Sequence, residues 1–474
     1  MRSESLERSA RLGLVREALG SRTAWVVGGT IRDALLGRPL EDIDLVVEED
    51  PRHAATALAR VGDGHAFELS EEFGAWRVMA ADRTWQADIT PVRGGSIETD
   101  LALRDFTVNA IAMPLAGGDL IDPHAGAADV DAGTLKAVGE TSFRDDPLRT
   151  MRMARLACEL GFEVERRTRE LARVDAPALA RVSPERSFYE LRRLIVSPDP
   201  LAGLRLMDEA GVLAVLLPEL EALKGVEQNP YHHLDVWGHT LEVLEQLLEV
   251  ERDLGAVFGV HAEAVGRELD RPLADELTRG QALRLAALLH DAGKPATRAV
   301  SPEGRVLFWG HDQVGATISR DVARRLRASA ATGEYLAQLA LHHLRLGFLV
   351  HQRPLSRRDS YRYLRACEPV ELEVTVLTAA DRLATRGERT RREAIEDHLE
   401  LARELAVAAL SWRADPPRPP VTGEELMEAL GLDPGPAVGR LLEELRAAAY
   451  AGEIGSREDA LALARTRLDG ASQA

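Results

Sequence analysis

The chain has 474 residues, a formal net charge of −18, 45% hydrophobic and 29% charged residues, and two cysteines, Cys158 and Cys367. Two cysteines so far apart exclude a disulfide-stapled scaffold and fit a reducing cytoplasm, and no apolar run reaches the ~18 residues that a membrane span needs. The acidic total weighs against phosphate binding by the chain as a whole, although one basic groove can coexist with acidic flanks.

MRSESLERSARLGLVREALG, at the start, mixes charged and apolar residues where a secretory segment would be continuously apolar, and reads as a short lead-in helix. AWVVGG (24–29) and DIDLVV (42–47) read as buried strands, and TIRDALLG between them as a short helix closed by Gly37. WRVMA and WQADIT follow as strands, RGGS as a turn, and GGDLIDPHAG and TLKAVG continue the strand and turn alternation. From about residue 144 the pattern turns helical, with Leu148, Met151, Leu156 and Leu160 near helical spacing. Pro198–Pro200 and NPYHH (229–233) mark breaks, 251–281 reads as an acidic insertion, and the four prolines of RADPPRPPVTG (413–423) mark a linker before two short helices. The length suggests three or more domains. The expected boundaries are 1–143 for a catalytic head, 144–228 for a helical neck, 229–412 for a helical body and 413–474 for linker and tail.

The first chemical signal lies between residues 25 and 47. Asp42 and Asp44, two apart in a strand, face the same way. Two like charges on one face call for a cation, and Mg²⁺ prefers carboxylates together with substrate phosphates. Gly28 and Gly29 would let a phosphate approach the backbone at a helix start, and Arg32 adds positive charge one turn on. Two ions ~4 Å apart would activate an attacking hydroxyl and stabilise a departing pyrophosphate. Asp88 is placed to complete the set or to activate the hydroxyl. An Asp-x-Asp pair alone is a weak signal; the order strand, Gly-Gly, Arg, Asp-x-Asp within two dozen residues carries the reading. The chain has no P-loop motif, which disfavours a Walker-type ATPase.

This stretch resembles the active-site motif of the class II tRNA nucleotidyltransferase and bacterial poly(A) polymerase family, and further segments match in order. LRDFTVNAIAM (103–113) resembles the second motif, with Arg104, Asp105, Thr107 and Asn109 in place and Leu103 where the family carries a further arginine. RDDPLRTMRMARLACELGF (144–162) resembles the motif that templates the incoming base. That implies Asp146 and Arg149 on one helix face reading CTP or ATP, with Arg152 and Arg155 further along as nucleotide-binding candidates. VSPERSFYELRRLI (182–195) resembles the next motif and offers Glu185 and Arg186. The resemblance implies an α+β fold: a small N-terminal nucleotidyltransferase mixed sheet with helices, then an all-α body with a helical tail. It further implies Mg²⁺ at the head, CTP and ATP as nucleotides, and addition of CCA, or part of it, to the tRNA 3′ end without a template.

A second constellation lies downstream. His239 begins an amphipathic helix, His290-Asp291 ends another, and His311, His342-His343 and Asp381 follow. This order resembles the HD phosphohydrolase superfamily, which implies a metal set of His239, His290, Asp291, His311, His342 and Asp381, with His342 preferred over His343. Mixed His/Asp ligands suit Mn²⁺, Ni²⁺ or Fe more than Mg²⁺. A metal-bound water could attack a phosphate ester there, with Lys294 steadying the phosphate. HQRPLSRRDSYRYLRA (351–366), with Tyr361 and Tyr363 among arginines, is the candidate RNA contact. The expected protein is a cytoplasmic nucleotidyltransferase carrying an HD domain. Its rivals are a poly(A) polymerase and a metallophosphohydrolase whose N-terminal half only binds RNA.

Overall fold

Strand β1 (Ala24–Val27) buries Ala24, Val26 and Val27, and β2 (Asp42–Val47) buries Ile43, Leu45, Val46 and Val47, so the apolar residues of both lie in the core. The computed structural model describes residues 9–71 and 74–471 and divides into two compact units, Met1–Leu216 and Leu217–Ala474.

In the first unit β1 and β2 lie inside a six-stranded sheet with β3 (Gly64–Ser70), β4 (Ala75–Ala80), β5 (Gln86–Pro91) and β6 (Ala112–Pro114), in the order β3-β4-β5-β2-β1-β6. Within this sheet only β2 and β5 pair in parallel, which sets Asp44 opposite Asp88; its other four pairings are antiparallel. The expected mixed sheet is therefore present. The lead-in helix runs Ala10–Leu19 with Ser9 capping it, and residues 1–8 of that reading lie outside the described residues. It and a helix Pro51–Val61, capped by Asp50 with Pro51 at its first turn, cover the sheet and join Leu12, Val15 and Leu58 to Ile43, Leu45 and Ile89 in one core. After the sheet the unit includes helices Ser142–Asp145, Arg149–Leu160, Arg166–Asp175, Pro184–Ile195 and Pro200–Glu209.

In the second unit the long helices are Val236–Arg252, Arg279–Leu289, His311–Arg325, Ala330–His342, Glu371–Ala384 and Arg392–Ala414. The segment 251–281 is not a plain insertion. It forms helices Leu254–Phe258 and Ala262–Leu269 and a small hairpin, because Val257, Phe258, Val265, Leu269 and Leu277 give it apolar residues to bury. The tail has three helices, not two: Gly423–Leu430, Pro436–Ala451 and Arg457–Ala471, around a core that includes Leu426, Leu445 and Leu461. Tyr361 and Tyr363, expected to face RNA, are each 3% exposed. Tyr361 packs its ring 5.4 Å from that of Trp412 and 5.7 Å from that of Tyr450, while Arg358 bonds Glu444 and Glu453. The amphipathic helix Arg357–Cys367 thus turns Tyr361 and Arg358 to the tail residues Tyr450, Glu444 and Glu453, and Tyr363 to Thr375. Among the described residues no helix is long and apolar enough to cross a membrane.

Candidate active site and candidate metal centre

Gly28 follows β1 at φ +64°, and a Cβ there would lie 2.8 Å from Arg104 Nη1 and 3.2 Å from Asp44 Oδ2. Glycine is thus required both by the backbone and by the close approach. The amide of Gly29 donates to Asp44 Oδ2 at 2.9 Å and that of Gly28 to the Ile111 carbonyl at 3.1 Å. Both amides expected to cradle a phosphate are therefore engaged, that of Gly29 by Asp44 at the start of the helix Gly29–Leu35 and that of Gly28 by the Ile111 carbonyl. The Asp44 amide donates in turn to Thr30 Oγ1 at 2.6 Å, tying strand to helix. Burial pushes the Asp44 carboxyl up from its ordinary value and Asp88 adds to this, while Arg104, Arg32 and the Gly29 amide oppose it. Asp88 is gripped by Arg77 through two bonds of 2.7 Å. Asp42, Asp44 and Asp88 line one cleft of about 850 Å³ with Gly28, Gly29 and Arg32.

A ring of guanidinium groups faces these carboxylates. Asp100, fully buried, holds Arg93 at 2.8 Å and Arg104 at 3.0 Å. Asp105 accepts from Arg152 Nη2 at 2.7 Å, from Asn109 Nδ2 at 3.0 Å and from the Phe106 amide at 2.8 Å. Burial alone would raise its carboxyl, but Arg152 and Asn109 hold it well below the usual carboxylate range. Asn109 Oδ1 accepts from Arg32 Nη1 at 2.6 Å, which links the two motifs. Arg149 is anchored by backbone: Nη2 donates to the Leu103 carbonyl at 2.7 Å and Nη1 to those of Arg104 and Ser142 at 3.1 and 3.2 Å. Asp146 accepts from Arg186 at 2.7 Å.

Several expectations change here. Asp146 does not share a helix with Arg149; it is extended, at φ −144° and ψ 101°, between helices Ser142–Asp145 and Arg149–Leu160. Pro147 disfavours the helical region at the residue before it. A bond from the Arg149 amide to the Asp146 carbonyl (3.0 Å) nonetheless keeps the pair together in a turn. Arg155 reaches the cleft wall, but its donors go to Glu190 and Glu159, each at 2.5 Å, so it binds two helices together. Glu185 is exposed at the start of helix Pro184–Ile195 and is not among the cleft residues. The sequence reading missed Arg77, Asp100, Tyr189 and Arg193; Tyr189 lines the cleft with Arg192 and Arg193 at 5.0 and 5.7 Å from its ring.

In the second unit Asp291 sits between two groups whose ligand atoms lie within 4.8 Å of one another: His239, His290 and Asp381, and Asp291, His311 and His343. Asp291 Oδ2 is 3.2 Å from His290 Nε2 and its Oδ1 is 3.4 and 3.6 Å from Nε2 of His311 and His343. His239 Nε2 lies 3.0 Å from Asp381 Oδ1. His290, His311 and His343 each place Nδ1 2.6–2.8 Å from the backbone carbonyl three residues earlier. That contact fixes the tautomer and leaves Nε2 as a ligand. The buried Nε2 atoms of His239 and His290 make no hydrogen bond despite these short approaches, as expected where several donors face a common cation. The donor set therefore fits one or two transition metals. Burial alone would raise the Asp291 carboxyl, but His290 and Lys294 hold it well below the carboxylate range, with Lys294 Nζ at 2.6 Å.

His342 is not part of this group. Its Nε2 meets Gln338 at 2.9 Å and its Nδ1 accepts from Arg345 at 2.8 Å, whereas His343 points inward. The phase of the preceding helix does not separate the two: Tyr335 and Leu339 lead to His342 as Leu336 and Ala340 lead to His343, and both histidines are buried, so contacts with Asp291 and His311 decide. Among the described residues Asp42, Asp44 and Asp88 do not close to the same 4.8 Å, since Arg77 holds Asp88.

A carboxylate cleft on a mixed sheet, followed by an HD-type cluster, defines a nucleotidyltransferase head joined to an HD domain. Family models agree segment by segment: the poly A polymerase head domain matches residues 24–136, the probable RNA and SrmB-binding site of polymerase A matches 161–224, and the HD domain matches 236–386. An A-adding tRNA nucleotidyltransferase from Deinococcus radiodurans is 37% identical, over 93% of this chain and 94% of the relative. A CC-adding tRNA nucleotidyltransferase from Thermus thermophilus is 36% identical, over 93% of each. A CCA-adding enzyme solved with ATP shares the fold, with a TM-score of 0.66 at 22% identity over 98% of this chain and 97% of that one. The chain belongs to the tRNA nucleotidyltransferase and poly(A) polymerase family.

Proposed function

We propose that the chain adds CMP or AMP to the 3′ end of tRNA without a template, with Mg²⁺ on Asp42 and Asp44 and with Asp88 as the third carboxylate. The observation that carries this reading is the single cleft that joins these three carboxylates to Arg32, Arg104, Asp146, Arg149, Arg152 and Arg186. Hard carboxylate oxygens beside a basic wall suit Mg²⁺, which takes its remaining ligands from water and substrate phosphates. When bound, the ions lower the charge on the reacting phosphate and the attacking oxygen. The chain's own residues do the rest. Arg32 and Arg104, fixed by Asn109 and Asp100, hold the triphosphate so that the 3′-hydroxyl of tRNA meets the α-phosphate in line with the leaving pyrophosphate. Arg149, fixed by three carbonyls, presents its remaining N–H donors to the incoming base, and Asp146 supplies the neighbouring acceptor.

The two curated relatives described above, which span nearly the whole chain, are each named for one part of CCA, and this favours addition of CC or of A alone. The second cavity then hydrolyses phosphate esters with a transition metal on its His/Asp groups. We assign the enzyme to the cytoplasm, a reading that the two free, buried cysteines support.

Incorporation tests the reading: tRNA ending before CCA, or after CC, is incubated in Mg²⁺ with labelled CTP alone, ATP alone, or both. Two C residues only, or one A only on the CC-ended tRNA, is the expected result. A long A ladder would turn the assignment to poly(A) polymerase. No incorporation, with phosphate release in Mn²⁺ or Ni²⁺, would leave the HD half as the sole enzyme.

A further inference from the structure

Helix Pro184–Ile195 turns one stripe toward the nucleotide cleft: Arg186, Tyr189 and Arg193, at i, i+3 and i+7, all line it. Arg186 holds Asp146, the acceptor offered to the incoming base. Tyr189 stands three residues on, ~4.5 Å along the helix axis, close to the ~3.4 Å rise of one stacked nucleotide. Among the described residues that line the cleft it is the only aromatic, and 43% of it is exposed. Its hydroxyl accepts from Arg193 Nη1 at 3.3 Å, and the guanidinium carbons of Arg192 and Arg193 lie 5.0 and 5.7 Å from the ring centroid. Glu159 anchors Arg193 in turn at 3.1 Å. Cations of its own helix therefore hold the ring in place and leave part of it in water, in a cleft walled mostly by charged groups.

The sheet shows which base belongs there. Register sets Asp44, Asp88, Arg77 and Phe67 in one row across β2, β5, β4 and β3. The bond to Asp88 raises the Arg77 guanidinium above its ordinary value against the effect of burial, and Tyr189 is near enough to add to this. Tyr189 thus stands between the residues that face the incoming base, through Arg186, and the carboxylate beside the attacking hydroxyl, through Arg77. We propose that Tyr189 seats the last base of the RNA acceptor strand by stacking, which brings its 3′-hydroxyl to Asp88. The proposal rests on the reading of this cleft as the nucleotidyl-transfer site and names the residue that positions the acceptor. An acceptor whose last base changes as nucleotides are added is served by a π-face, which takes any base, and not by hydrogen-bond donors, which select one.

The test uses the full chain with a tRNA acceptor-stem hairpin and with the same hairpin ending in an abasic nucleotide. One stacked base corresponds to roughly 5- to 150-fold in binding. Tyr189→Ala should therefore raise the KM for the hairpin by about ten-fold or more while the KM for CTP or ATP stays within about two-fold. Tyr189→Phe keeps the ring and should restore the native KM. The abasic end should cost the native chain the same factor and cost Tyr189→Ala nothing further, a match that general damage to the fold would not produce. An unchanged KM for the hairpin in Tyr189→Ala, or a rise confined to the nucleotide, would overturn the proposal. If the native chain incorporates nothing, the nucleotidyl-transfer reading falls, and hairpins lacking the 3′-hydroxyl, which cannot react, carry the same comparison by fluorescence anisotropy. Weaker binding of the abasic end by the native chain alone would then keep the seat, and equal binding of both hairpins would refute it.

Discussion

Replacing Asp105 by Asn tests the link between the two halves of the nucleotide cleft. The residue is 7% exposed and its carboxylate receives Arg152, Asn109 and the Phe106 amide. Removing one partner of a buried pair costs ~3–5 kcal/mol. Arg152 keeps 35% of its side chain in solvent and has Glu190 Oε1 at 3.7 Å as a second acceptor, so about 2 kcal/mol is the expected loss. Because the folded carboxyl is held below its ordinary value, this stabilisation is full above pH ~4 and is lost as pH falls further. The difference between the two proteins should therefore shrink in acid. The asparagine amide has one acceptor oxygen and cannot serve Asn109 and Arg152 together; turned toward Arg152, it sets its NH2 against Asn109 Nδ2 and loosens the 2.6 Å bond that fixes Arg32. The KM for CTP or ATP should rise about ten-fold, ~1.4 kcal/mol of binding. Urea unfolding at pH 7 and single-nucleotide incorporation across a range of nucleotide concentrations measure both effects. A stability change under ~0.5 kcal/mol together with an unchanged KM would refute the coupling.

Gly28→Ala combines a left-handed backbone cost of ~1–2 kcal/mol with displacement of Arg104, 2.8 Å from the new methyl; kcat/KM for the nucleotide should fall at least ten-fold, and retention of full activity would show the close approach to be dispensable. His398 is 6% exposed and burial pushes its imidazole down to about 4, so the folded state stays neutral where the unfolded state takes up a proton. Stability should rise with pH from about 4 to 6.5 and then level off, a contribution of about 3 kcal/mol; urea titrations in EDTA at pH 4.5 and 7.5 should show this slope reduced in His398→Gln, and identical slopes would sink the assignment.

The strands β1 and β2, the Gly-Gly turn and the order of the motifs were legible because each is a local pattern of residue type and period. The pairing of Asp88 with Arg77 was not, since it depends on β4 and β5 lying side by side, a register that no single segment encodes. One misplacement was readable in principle: Pro147 argues against a helical Asp146. The adjacent histidines were not separable, because both continue buried stripes of their helix and only His343 meets Asp291 and His311 from other segments. Tyr361 and Tyr363 looked available beside arginines, but their partners Trp412, Tyr450 and Thr375 come from other segments. Charge runs identify a surface only when the carboxylates that answer them are also in view.

Arg149 is held by the carbonyls of Leu103, Arg104 and Ser142, and a carbonyl is the same whatever side chain its residue carries. Drift at those three positions leaves the guanidinium aimed as before. On the proposed reading of the base by Arg149 and Asp146, nucleotide preference is shielded from substitution on the Arg149 side and open to it at Asp146 and Arg186, whose contact is between side chains alone. A lineage changing which nucleotide it adds would find its accessible mutations there.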